Sequence, residues 1–191
     1  RIEEAKKVAQ KLIELKSRTS LAHLTIAIYE IKQGNYKLAN NQLSEIPPEG
    51  LIGFVSPLLR AWCLIGQKKI SAAYKILKRP GKQTAIRTLY STHLALINDF
   101  LGRSKEAKKQ YLEIRDSSNE LSLRTVQLLG ALYERTGENN KAKSLYESYL
   151  LKFPDSQLLD LPLKRLKTGE KETLGPISIT DGVAEVLFGV S

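Results

Sequence analysis

Apolar and polar positions follow a helical rhythm along this chain. In "LLGALYERTGENNKAKSLYESYLLKFPDS", residues Leu128 to Ser156, apolar side chains return every three or four positions, pause over a polar stretch around Gly137, and resume. That spacing predicts two amphipathic helices joined by a tight turn. The same stretch sets two small residues, Gly130 and Ala142, twelve apart. Counting back from Ala142 gives Ala107, Ala73, Ala39 and Ala5, and counting back from Gly130 gives Ala95, Ala61 and Ala27, each step being 34 or 35 residues. Larger residues keep fixed places beside them. Four past the second small position stand Ala9, Leu43, Leu77, Tyr111 and Tyr146, and three further on Leu12, Ile46, Pro80, Ile114 and Tyr149. Most units also carry a glycine between the two small residues: Gly34, Gly66, Gly102 and Gly137. Two columns held in register over five units define an internal repeat.

The fold class that follows is all-α. Small side chains where two helices cross let the axes approach to the lower end of the usual 8–10 Å range. A glycine after the first helix supplies the backbone conformation that ends it, as in "EIKQGNY", "LIGQKK", "DFLGRSK" and "ERTGENN". One hairpin cannot bury its apolar stripe, so successive hairpins are expected to stack and share a core, with Ala27, Ala39, Ala61, Ala73, Ala95, Ala107, Gly130 and Ala142 buried at the crossings. Arg60 stands in a column otherwise filled by Ile26, Leu94 and Leu129, and Glu30 in one shared with Leu64 and Tyr133. The two are expected to be buried on adjacent helices as a pair.

On Leu129-Gly130, Tyr133, Ala142, Tyr146 and Pro154, the unit Leu123 to Ser156 resembles the tetratricopeptide repeat, and Ala95 to Ile114 resembles it as well. Earlier units depart from the family pattern: His23 and Pro57 occupy its usual tryptophan position, and Gly66 falls two residues early. The resemblance covers residues 1–156, the second helix of one unit followed by about four full units, and implies a right-handed superhelical solenoid of antiparallel helix hairpins. A start inside a unit, at Arg1 and with no methionine anywhere, reads as a fragment of a longer chain. Residues 157–168 read as a capping helix that Pro162 kinks or delays, residues 169–180 as an extended linker, and residues 181–191 as an apolar helix with Asp181 as its N-cap. This tail, "DGVAEVLFGVS", is similar to segments of bacterial tetratricopeptide proteins and implies a bacterial source.

Charge changes the picture in one place. Of the net +10, the segment 50–98 contributes eight basic residues and no acid: Arg60, Lys68, Lys69, Lys75, Lys78, Arg79, Lys82 and Arg87. They form either a solvated helix face or a contact patch for something anionic. Reactive chemistry is sparse. His23 and His93 have no Cys, Asp or Glu at metal-ligand spacing, which argues for ordinary helix residues. Cys63, the sole cysteine, sits on an apolar helix without a basic neighbour and reads as a buried, inert thiol. "GKQT" at Gly81 to Thr84 matches the end of a phosphate loop, but the motif's first glycine would fall at Ile76 and no strand precedes it. The expectation is a protein that is not an enzyme and takes no metal or cofactor. No apolar stretch in this fragment reaches the ~20 residues that span a bilayer.

Function is then expected in a surface. The resemblance implies that the first helices line a concave groove for peptide segments of partner proteins. The family's groove positions fall here on Leu21, Leu24 and Ile28, then Val55, Leu58 and Trp62. In later units they fall on Leu89, Thr92 and Leu96, and finally on Arg124, Gln127 and Ala131. The family's lysine, arginine and asparagine clamp for a C-terminal carboxylate is missing, so an apolar groove for an amphipathic helix is the expectation. The alternative is an anionic partner, nucleic acid or an acidic surface, on the basic patch. No aromatic stripe accompanies that patch, which argues against stacked bases and so against nucleic acid. The apolar tail is expected to dock on an apolar surface of its own chain or of a neighbouring copy, which would be self-association. The compartment is left between cytoplasm and bacterial envelope.

Overall fold

The structure is a computed structural model of the chain and describes residues 1–15, 19–78, 84–117, 121–170 and 178–189; for Thr84 and Ala85 it describes the backbone alone. Pro80, Arg79, Lys82 and the middle of the linker lie outside the described residues. Among the described residues every regular element is helical: α1 (Ile2–Glu14), α2 (Ser20–Lys32), α3 (Tyr36–Ser44), α4 (Gly50–Gly66), α5 (Ile70–Leu77), α6 (Thr84–Phe100), α7 (Ser104–Ser117), α8 (Leu123–Arg135) and α9 (Asn139–Lys152). A 3-10 turn at Gln157–Leu159 leads into α10 (Asp160–Thr168), and α11 (Ile179–Phe188) closes the chain.

Four of these helices end the same way. The amides of Asn35, Lys69, Arg103 and Glu138 reach back to the carbonyls of Glu30, Leu64, Asn98 and Tyr133, each at 2.8 Å. Their predecessors Gly34, Lys68, Gly102 and Gly137 bond to Ile31, Ile65, Asp99 and Glu134 at 2.9–3.1 Å. This paired closure satisfies carbonyls that a helix end would otherwise leave bare, and it needs a left-handed residue. That residue has φ 76°, 61°, 72° and 77° at positions 34, 68, 102 and 137. The second turn corrects the sequence expectation, because Lys68 and not Gly66 takes the left-handed position. Gly66 is the last residue of α4, and a Cβ on it would drive into the Tyr36 ring. The chain uses that glycine for close packing and tolerates a strained lysine in the turn. Four residues after each turn's second amide comes the second small residue, Ala39, Ala73, Ala107 or Ala142, whose N–H returns to Asn35, Lys69, Arg103 or Glu138.

The described residues divide into two compact units, residues 1–93 with 178–191 and residues 94–177, the division falling within α6. In the first unit α2 packs on α1 and α3, and α4 packs on α3, α5 and α2. Ala27, Ala39, Ala61 and Ala73 are fully buried. The core centres on α4, whose Val55, Leu58, Leu59, Trp62, Cys63 and Leu64 are buried. Ser56 donates to the Leu43 carbonyl at 2.8 Å, so the buried hydroxyl is satisfied. In the second unit α8 packs on α7 and α9, and α9 meets α10. Ala95, Ala107 and Ala142 are again fully buried, and Gly130 presents its bare backbone to the Tyr146 ring, which leaves no room for a Cβ. Small residues thus sit at the crossings, as the repeat register requires.

Two further expectations are corrected. Arg60 and Glu30 do not pair. Glu30 is buried but accepts from Lys6 Nζ at 2.7 Å and Asn35 Nδ2 at 2.8 Å, both supplied by neighbouring elements. Burial pushes its carboxyl up, and the Lys6 and Asn35 hydrogen bonds outweigh that, so its pKa ends below the usual value. Arg60 is only half-buried, and its Nε donates to Asn40 Oδ1 at 3.3 Å. At the other end, Asp181 is not the N-cap of the tail helix. Ser178 Oγ accepts from the Asp181 amide at 3.1 Å and donates to its carboxylate at 2.8 Å, a reciprocal cap that starts the helix at Ile179. Pro162 sits in the first turn of α10, where a missing N–H costs nothing, and the 3-10 turn occupies the residues before it.

Candidate functional site

The site is the face of the first unit on which the chain's own tail helix lies. Helix α11 buries Ile179, Gly182, Val183 and Val186, one stripe at helical spacing, against α4, and it also touches α2. At the centre Gly182 lies flat on the Trp62 indole, so close that a Cβ there would penetrate the ring. Further along, Gly189 comes against Leu89 on α6, where a Cβ would stand 3.1 Å from Leu89 Cδ1. Helices α2, α4 and α6 are the first members of their hairpins, so the tail occupies the first-helix face.

Trp62 is held from below. Its indole N–H donates to His93 Nδ1 at 3.2 Å, and the two rings meet edge to face at 89° with centroids 6.4 Å apart. His93 is almost wholly buried, and burial pushes its imidazole down to about 3 from an ordinary 6.5, so it stays the neutral acceptor that the indole needs. The other histidine, His23, is also buried and shares a 2.9 Å hydrogen bond with Gln42. Cys63 beside Trp62 is buried, and burial pushes its thiol up to about 12, which leaves no thiolate for nucleophilic chemistry at neutral pH.

The residues expected to line a groove fall in different settings. Leu21 is exposed, Leu24 and Ile28 are half-buried, and Val55, Leu58 and Trp62 are buried. Leu89 and Thr92 are half-buried, Thr92 donating to the Thr88 carbonyl at 2.9 Å. Leu96 and Ala131 are buried in the second unit, where half-buried Arg124 donates to Gln127 at 3.3 Å. Trp62 and Leu89 meet glycines of α11. Of the basic residues, Lys68, Lys69, Lys75, Lys78 and Arg87 are exposed, while Arg79 and Lys82 lie outside the described residues.

Sequence reasoning did not identify Ile179, Gly182 and His93 as parts of this site. The stripe Ile179, Gly182, Val183, Val186 has the right period to have been found. The pairing of His93 with Trp62 has no local signature, because it joins side chains on two different hairpins. Among the described residues no group of three or more His, Cys, Asp or Glu side chains is placed to hold a metal ion, and no helix is long and apolar enough to cross a membrane.

Fold and site together define an all-helical protein built of hairpins, with a tail helix seated on the first-helix face of its first unit. No protein-family model, curated protein or solved structure matches the chain.

Proposed function

We propose that the protein is a tetratricopeptide-like interaction scaffold, a solenoid of hairpins whose first-helix face binds an apolar or amphipathic helix of a partner protein. The observation that carries this reading is α11 itself: the face around Trp62 already holds a helix by an apolar stripe and one glycine contact. A face that accepts a tethered helix has the shape and polarity to accept a similar helix from elsewhere, and the tether sets the affinity such a competitor must exceed. Nothing in the site suggests catalysis, since its one thiol is held protonated and its histidine neutral.

Trp62 is the sole tryptophan and reports on the site directly. In a chain ended at residue 177, Trp62 emission should shift to the red. A synthetic peptide of residues 178–191 should reverse the shift with a saturable isotherm that barely responds to salt. Unchanged emission on truncation, or no saturation by the peptide, would remove the basis of this reading. A second reading, an anionic partner on the basic segment, is favoured by one observation: Lys68, Lys69, Lys75 and Lys78 are exposed, and among the described residues no carboxylate pairs with them. Binding of that kind would weaken steeply with ionic strength.

A further inference from the structure

In the second unit, α7 and α9 flank an open cleft of about 770 Å³ floored by Val126 and Tyr133 of α8. Helix α9 with its C-cap Phe153 presents to it two parallel ridges, each stepping by four residues. One runs Lys141, Leu145, Tyr149, Phe153, with the Tyr149 and Phe153 rings packed at a centroid distance of 4.8 Å. The other runs Asn140, Ser144, Ser148, Lys152. An apolar wall therefore lies directly beside a wall of hydrogen-bond donors.

Among the described residues the apolar ridge is only partly covered. Tyr149 stands in the repeat column in which Ile46 and Ile114 are buried, yet it is itself only half-buried, as is Leu145. Among the described residues the charged side chains lining the cleft are Arg115, Lys141 and Lys152. Lys141 pairs with Glu138 at 2.6 Å, but Glu138 is also held by Lys108 at 2.7 Å, so one carboxylate is divided between two ammonium groups. Their hydrogen bonds, Lys108 first and then Lys141, hold the Glu138 carboxyl down at about 2. Arg115 has Asp116 at 2.9 Å, and Lys152 has no acidic partner among the described residues. Among the described residues the cleft keeps a positive excess.

We propose that this cleft binds an acidic amphipathic helix of a partner protein. Its apolar stripe packs along Leu145, Tyr149 and Phe153, and its carboxylates meet Lys152, Arg115 and the hydroxyls of Ser144 and Ser148. An i+4 ridge on α9 is the complement of an i+4 ridge on another helix. The 14 residues of α9 run about 21 Å, long enough to seat about four turns. The cleft is open along that length, which suits a helix laid in a groove better than a small ligand that must be enclosed. The basic side chains Arg115, Lys141 and Lys152 of the lining select the sign of the partner's charge. The inference stands on the second unit alone and does not depend on the role of α11.

The test titrates the isotope-labelled full chain with two 18-residue synthetic helices that share one leucine stripe, the remaining positions being mostly Glu in one and mostly Lys in the other. The Glu helix should bind with amide shifts concentrated in residues 112–153, with Trp62 emission unchanged and with affinity falling several-fold between low and moderate salt. Lys152→Glu and, separately, Ser148→Glu should each weaken binding about tenfold; both positions are exposed, so neither variant threatens the fold. Absence of binding, equal binding of the Lys helix, shifts centred on the first unit, or indifference to both substitutions would overturn the proposal.

Discussion

Lys68 holds a left-handed conformation, φ 61°, in the turn where three other hairpins have glycine. A residue with a Cβ loses roughly 1–2 kcal/mol there, and glycine gives back roughly 0.5–1 kcal/mol through the flexibility of the unfolded chain. Lys68→Gly should therefore raise stability by about 0.5–1 kcal/mol, read as a shift of the urea midpoint with an unchanged slope. A midpoint that falls would show that the lysine contributes something the turn geometry does not reveal. His93 gives a second prediction at this scale. Its folded pKa of about 3 lies below the ordinary 6.5, so between those values the unfolded chain takes up a proton and the folded chain does not. Stability is thus lost as pH falls below about 6.5, by up to roughly 1.4 kcal/mol per unit. The wild-type midpoint should drop between pH 7 and 5, and that of His93→Gln, which keeps an acceptor for the indole but cannot titrate, should drop much less. Glu30 and Glu138, with lowered pKa values, lose their contribution only below about 4.5, outside that window. Equal slopes for the two proteins would argue against a buried neutral His93. Neither residue announced its role. The turn is legible in the sequence as a turn, but its left-handed residue is not, because a glycine two positions away is the more obvious candidate.

At the scale of the element, α11 makes the case that a helix can depend on its docking site. Ten residues are too few for an isolated helix to persist in water, and the Ser178 cap is worth only about 1 kcal/mol. Its persistence comes from burying Ile179, Val183 and Val186 and from the contact that Gly182 allows with Trp62. Gly182→Leu should wedge the helix off, giving red-shifted Trp62 emission and fast amide exchange in residues 179–188, while the rest of the first unit stays folded. Ala184→Leu, on the exposed side of the same helix, should leave both readouts unchanged. If Gly182→Leu behaved like the wild type, the packing of α11 on Trp62 would be refuted. The tail's wish to be buried was legible in its composition; the face that buries it was not, because complementarity between Gly182 and Trp62 is a property of two distant surfaces. Helix α9 shows the reverse. Both of its ridges could be read from the sequence by stepping four residues at a time, yet only the positions of α7 and α8 make a cleft of them.

Across the whole molecule, the division between what the sequence determined and what tertiary structure decided follows the range of the forces involved. The sequence determined the helices, the hairpin turns and the small residues at the crossings. Each of these depends on neighbours within a few residues: a 3.6-residue period, a left-handed turn residue, and a small residue at the fourth position of the next helix. Repetition every 34 or 35 residues amplified those local signals until they stood clear of chance. Partnerships between helices were left to tertiary structure. The repeat register matches Glu30 with Arg60, yet Lys6 comes within 2.7 Å with its ammonium over the Tyr29 ring, and Asn35 donates to the other oxygen, so both carboxylate oxygens have partners without the arginine. The repeat register puts Trp62 in an open groove, but it has His93 beneath it and Gly182 above. A buried charge or ring takes the partner that completes its hydrogen bonds and excludes water at least cost, and that choice is made among side chains brought together only by the fold.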